Sequence, residues 1–226
     1  IGLLSVEDVD SGDSHTFTVI SGSEIVSVSG NQLLSEEKLD YESKSTHNVT
    51  IQVTDSGALS YTTSFVVTVI DENESPSNIM LSSVTITENN DVGTEIGVLS
   101  AEDVDSGDIH TFTVISGSEF VSITSNQLLS KVGFDYETQS THNVTIRGVD
   151  SGGETIDKSF VVTVIDANDA PTAMTLSAET ITENSDVGTE IGVLSAVDVD
   201  SGDSHTFTVI SGTENVSVSG KKLLSK

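Results

Sequence analysis

Paired carboxylates recur along this chain at a spacing of two. Asp103 and Asp105 form one Asp-x-Asp pair, and Asp135–Glu137 and Asp40–Glu42 form Asp-x-Glu pairs. In an extended chain alternate side chains share a side, so each pair presents two carboxylates together and turns Tyr136 or Tyr41 away. Carboxylates gathered in this way repel one another unless a cation lies among them. The sets hold neither Cys nor His, and oxygen-only donors select a hard ion. Calcium fits best because it takes about six to eight oxygens in flexible geometry, ahead of magnesium, which keeps its waters.

The elements that must position these acids come as repeats. SAEDVDSGDIHTFTVISGSE begins at Ser100, with counterparts at Ser5 and Ser195; STHNVTI at Ser45 recurs at Ser140, and TEN at Thr87 recurs at Thr182, each offset by 95 residues. The prolines Pro76 and Pro171 punctuate the units. They divide the chain into residues 1–78, a repeat without the counterpart of 79–95; residues 79–173, a complete repeat; and residues 174–226, the opening half of a third. The out-of-phase ends read as a window on a longer array.

Within the complete repeat, runs rich in Val, Ile, Thr and Phe predict strands near 80–88, 94–102, 110–116, 119–124, 127–134, 142–149 and 158–166. No segment carries a helical period. Seven short strands of alternating direction in one repeat predict an all-β fold, a seven-stranded immunoglobulin-like Greek-key β-sandwich. With alternating direction, Glu88, Asp135, Glu137 and Asp166 close strands at one end of the sandwich, and Asp103, Asp105 and Asp150 close strands at the other. Head-to-tail stacking then sets one end against the next across an acidic linker, DENESP at 71–76 and DANDAP at 166–171.

Composition narrows the function classes. The 36 acidic residues against 8 basic ones give a net charge of -28, which repels nucleic acid and anionic membranes. No apolar run has the length of a membrane span, so direct membrane insertion is not expected. Without a single Cys, extracellular stapling must come from a source other than disulfides, and bound metal is the natural one. An enzyme is not expected either. Asp13-Ser14-His15 assembles three catalytic residue types, but Ile109 replaces the Ser in the next copy. DVDSGD does not open an EF-hand loop, since the twelfth position from Asp103 is Val114. Asp108, with Asp13 and Asp203, reads as a turn former. His15, His110, His205, His47 and His142 read as surface residues at strand starts.

The order of motifs resembles the cadherin repeat along the whole chain: Glu88-Asn89 then Gly93-Thr94, the Asp103–Gly107 run after Ala101, FDYE at 134–137 and LDYE at 39–42, Val149-Asp150, and DANDAP. The near-identical copies and the NDAP linker are most similar to bacterial cadherin-like repeats of large surface adhesins. The resemblance implies a Ca2+ cluster at each junction, about two to three ions apiece. For the first junction it nominates Asp40, Glu42, Asp71, Asn73, Glu74, Asp103, Asp105 and Asp150. For the second it nominates Glu88, Asp135, Glu137, Asp166, Asn168, Asp169, Asp198 and Asp200, with backbone oxygens of Ala167 and Asn168. The same positions one repeat away are Asp8, Asp10 and Asp55 in the first repeat and Glu183 in the third. Ser75 and Ala170 stand where the family has a second linker Asn, and Glu74 where it has Asp, which weakens the expectation for one ion of the set.

The function implied is a calcium-rigidified extracellular spacer or adhesin array on a cell surface, bacterial in origin, with neighbouring repeats as its partners. Three alternatives stand beside it: homophilic contact, polysaccharide binding, and a subunit of an extracellular fibre.

Overall fold

The computed structural model describes residues 1–226. Its elements are all strands. In the first repeat these are β1 (Gly2–Leu3), β2 (Thr16–Ser21), β3 (Val26–Ser29), β4 (Gln32–Ser35), β5 (Thr46–Thr54) and β6 (Ser60–Thr68). The second repeat holds β7 (Asn78–Leu81), β8 (Thr85–Thr87), β9 (Glu95–Glu102), β10 (Thr111–Ser116), β11 (Val121–Thr124), β12 (Gln127–Ser130), β13 (Thr141–Val149) and β14 (Thr155–Ile165). The third holds β15 (Ala173–Leu176), β16 (Glu190–Val197), β17 (Val216–Ser219) and β18 (Lys222–Ser225). The chain divides into two compact units. One is Ile1–Asn78 with Glu102–His110 and Val149–Ile156, and the other is Ile79–Ala101, Thr111–Gly148 and Asp157–Lys226.

In the first unit, sheets β1-β4-β3 and β2-β5-β6 enclose a core of Ile25, Val26, Leu33, Val49 and Ile51, with Phe17, Val19 and Val67 packed against it. Strand β5 explains why: THNVTIQVT turns His47, Val49, Ile51 and Val53 inward and Thr46 and Asn48 outward. Residues 1–78 hold no counterpart of β7 and β8, and a groove of about 480 Å³ opens along the core. Leu4, Phe17, Ile51, Val53, Tyr61 and Phe65 line it.

The second unit carries sheets β10-β13-β14-β8 and β11-β12-β9-β7 around Ile79, Ile96, Leu128, Val144, Ile146, Val162 and Val164. Two expectations change here. The single strand predicted at 80–88 is two strands that belong to different sheets. β7 shares a sheet with β9, whereas β8 runs parallel to β14, Thr85↔Thr163 to Thr87↔Ile165. The crossing at residues 82–84 presses the Ser83 backbone against Gly97, where a Cβ would stand 2.7 Å from the Ser83 carbonyl oxygen; only glycine fits. The second change concerns His47 and His142, which are buried and not at the surface. His142 shares the inward parity of Val144 and Ile146, and its ring packs against Phe120 at 4.4 Å and Phe134 at 4.8 Å.

The third repeat forms one sheet, β15-β16-β18-β17. Met174, Ile181 and Ile210 are exposed there, since residues 174–226 contain no counterparts of β13 and β14 to cover them.

Ile146 is fully buried in the middle of β13. Ile146→Ala should cost about 2–5 kcal/mol through lost apolar contact and the cavity left behind. The urea midpoint of the second repeat reads this, and an unchanged midpoint would contradict the core assignment.

Candidate metal centres

In the first unit the linker lies against the loops that follow β9 and β13 of the second repeat. The Ser77 amide donates to the Glu102 carbonyl at 2.8 Å, and the Asn73 side-chain amide donates to Asp150 Oδ2 at 3.1 Å. Glu42, Asp71, Glu74 and Asp105 each bring one carboxylate oxygen within 4.8 Å of all the others. They come from the turn before β5, the linker, and the loop after β9. The Glu74 amide donates to Asp105 Oδ2 at 2.8 Å, which fixes the linker against that loop. Partial desolvation, followed by the charges of Asp105 and Asp71, holds the Glu74 carboxyl above its ordinary range. A polar cleft of about 640 Å³ opens here between Tyr41, Glu42, Asp71, Asn73, Asp105 and Asp108.

A second group in the same unit joins Asp103, Asp108 and Asp150. Asp150 is only 6% exposed, and its Oδ1 accepts from the Gly153 and Glu154 amides at 2.6 and 2.8 Å. Asp103 Oδ1 accepts from the Asp105 amide at 3.2 Å, and its Oδ2 faces His110 Nε2 at 3.0 Å. Asp108 does turn the chain, its amide reaching the Asp105 carbonyl, but its side chain also joins the group. The Ser151 hydroxyl donates to Asp108 Oδ1 at 2.6 Å, while Oδ2 is buried without a hydrogen-bond partner. A buried carboxylate oxygen with no donor, facing two more carboxylates, fits a cation and not a further hydrogen bond. Asp8, Asp13 and Asp55 form the equivalent group in the first repeat; Asp10 lies outside it and donates its amide to Asp8.

The second unit builds the other junction. Glu88, at 4% exposure, sits just past β8, where Asn89 adopts a left-handed φ of 56° that Asn tolerates. Its two carboxylate oxygens accept from the Tyr136 and Ala167 amides, both at 2.7 Å, so one side chain ties the FDYE turn to the linker. Glu88, Asp135 and Glu137 form one group, and Glu137, Asp166 and Asp200 a second that shares Glu137. Partial desolvation and then the neighbouring charges of Asp200 and Glu88 push the Asp166 carboxyl up; Glu137 is raised by the same desolvation. The Asp169 amide donates to Asp200 Oδ2 at 2.6 Å, and its Oδ1 accepts from Asn89 at 2.8 Å.

Not every nominated side chain faces a group. Asp40 is bonded to its own turn, through the Glu42 and Ser43 amides and the Ser43 hydroxyl. Asn168 donates to the Asp169 carbonyl. Asp198 meets the Asp200 amide and His205. Glu183 is exposed where its counterpart Glu88 is buried; residues 184–226 hold no counterpart of the turn and linker amides that receive Glu88. Sequence reasoning missed the His–Asp contacts, although the seven-residue spacing recurs in all three copies.

No family model matches the chain. It is 32% identical over 199 residues to protocadherin gamma-A2 of Pan troglodytes, a match covering 82% of this chain and 21% of that protein. Over 219 residues it is 31% identical to protocadherin Fat 4 of Mus musculus, covering 87% of this chain and 4% of that protein. The chain therefore spans about a fifth or less of the curated relatives' length. Among solved structures, mouse cadherin-23 EC22-24 superposes with a TM-score of 0.67 at 20% identity, covering 100% of this chain and 80% of that one. Protocadherin gamma B2 extracellular cadherin domains 3-6 give 0.62 at 22% identity, covering 95% and 57%. Motif order, tandem β-sandwiches and these relatives agree: the chain is a run of cadherin-like repeats.

Proposed function

We propose that the two junctions bind calcium and that the chain is an extracellular spacer or adhesive segment whose stiffness calcium sets. The observation that carries this reading is the meeting of Glu42, Asp71, Glu74 and Asp105, from a turn, a linker and the following repeat's loop, within 4.8 Å. Such a set is costly without a cation, and only the relative placement of linker and loops assembles it. Calcium binds better to the arrangement offering more ligands and so favours it over a splayed linker. At the first junction Glu42, Asp71, Glu74 and Asp105 hold one ion, and Asp103, Asp108, Asp150 and Asn73 hold another. At the second, Glu88, Asp135, Glu137, Asp166, Asp169 and Asp200 play the corresponding parts.

Neighbouring repeats of a longer array are the first partners. Contact between copies of the protein is the second, in line with the cis-dimer structure known for protocadherin gammaB7, which shares this fold. Near-identical copies, none visibly specialised, favour a ruler-like role such as that of surface adhesins. Calorimetry should find calcium binding on the order of 10⁻⁴–10⁻³ M, with little response to zinc. No heat at several millimolar calcium would overturn the reading.

A further inference from the structure

Three histidines hold three aspartates in the same way. His15, His110 and His205 present Nε2 to Oδ2 of the Asp seven residues earlier, at 2.9 Å from Asp8, 3.0 Å from Asp103 and 2.7 Å from Asp198. In each copy the other oxygen of that Asp accepts the amide two residues on, from Asp10 at 3.0 Å, Asp105 at 3.2 Å and Asp200 at 3.3 Å. The carboxylate is thus gripped from both sides. At Asp103 the grip is nearly dry, with side-chain exposures of 12% for His110 and 4% for Asp103.

We propose that His15 and His110 are positioning residues of the cation groups, each holding the first Asp of an Asp-x-Asp pair, Asp8 or Asp103, in the orientation its group requires. The inference rests on the calcium reading above. Facing an acceptor-only oxygen, the ring donates Nε2–H. A carboxylate oxygen has two lone pairs, so one remains for a cation on each oxygen of Asp103. The donor identity matters. Lys or Arg at this place would add a permanent positive charge beside the site and oppose cation entry. An imidazole Nε2–H orients the carboxylate without bringing the permanent charge of Lys or Arg. Outer hydrogen bonds of this kind typically carry about 10–100-fold in metal affinity.

The test uses the full chain and calcium alone, followed by calorimetry, with the β-sheet spectrum as a check on folding. His110→Phe keeps the ring and removes the donor; His110→Gln keeps an N–H at similar reach. The expected result is calcium affinity at the first junction reduced about tenfold or more in His110→Phe and largely restored in His110→Gln. His15→Phe should weaken calcium binding at the equivalent Asp8, Asp13 and Asp55 group in the same way, giving an independent copy should the first variant fold poorly. Asp103→Asn serves as the reference for loss of a ligand. If Asp103→Asn weakens binding while neither His variant does, or Phe and Gln weaken it equally, the positioning role is wrong and the calcium reading stands. If the parent chain binds no calcium, both fall.

Discussion

Replacing Asp103 and Asp105 together by Asn should leave the β-sheet spectrum unchanged and lower calcium affinity at the first junction by roughly 100-fold or more, given how steeply ligand charge sets affinity in such sites. The substitution is nearly isosteric. Asn can still accept through its carbonyl oxygen from the amides that now reach these side chains, Asp105 to Asp103 and Glu74 to Asp105. Neither residue belongs to the apolar core of either unit. What disappears is two negative charges, one from each of the two groups at the first junction. Calcium should then fail to stiffen the first linker while still stiffening the second, whose ligands are untouched. Scattering, or distances between labels placed in consecutive repeats, reads the difference. A double variant that extends and stiffens like the parent would reduce these carboxylates to solvated turn residues.

Glu88→Ala should produce the largest loss of stability among the acidic positions, even without calcium. Most carboxylates here are exposed, and removing one costs little. Glu88 instead receives the Tyr136 and Ala167 amides at 2.7 Å on its two oxygens. Truncation leaves two part-buried donors without partners, at about 1–3 kcal/mol each. Calcium then stabilises the second junction less, because a ligand has gone as well; a parent site at 100 times its dissociation constant gains about 2.7 kcal/mol that the variant forfeits in part. Glu88→Gln separates the two effects, since it keeps one acceptor oxygen and loses the charge. Denaturant midpoints with and without calcium for parent, Gln and Ala should fall in that order. If Ala matches the parent in both conditions, Glu88 neither braces the turn nor serves the site.

The fold was legible because its signals are local. β5 and β13 alternate so regularly that their inward residues can be named without coordinates, and the 95-residue repeat confirms each assignment in a second copy. The same parity rule, applied to His47 and His142, would have buried them; reading them as strand starts set it aside. The sheet switch between β7 and β8 was not legible, because Ser82 and Ser83 carry no Pro or Gly to mark a break, and its clearest trace is Gly97 on another strand. At the junctions, the Asp-x-Asp and Asp-x-Glu spacing singled out half of the acids that meet, among them Asp103, Asp105, Asp135 and Glu137. Spacing cannot separate a side chain aimed at its neighbours from one folded onto its own turn. Asp40 and Asp135 sit in matching motifs, yet only Asp135 also reaches a group with Glu88 and Glu137. Asp108 reads like any turn residue until Ser151 and Asp150 are brought beside it from a strand end some forty residues away.

The parallel pairing of β8 with β14 has a mechanical consequence. The second repeat is entered through β7, which crosses at residues 82–84 into β8, and left at the end of β14; β8 and β14 point the same way. Tension that pulls entry and exit apart, once it is carried past β7, drags β8 and β14 past each other along their common axis. The ladder from Thr85↔Thr163 to Ile165 is then loaded in shear, with all its hydrogen bonds strained together. An antiparallel pair pulled from one end opens like a zipper, one bond at a time. A repeat closed by this clamp resists being drawn out, and it does so with backbone hydrogen bonds alone, without any contribution from the linker carboxylates.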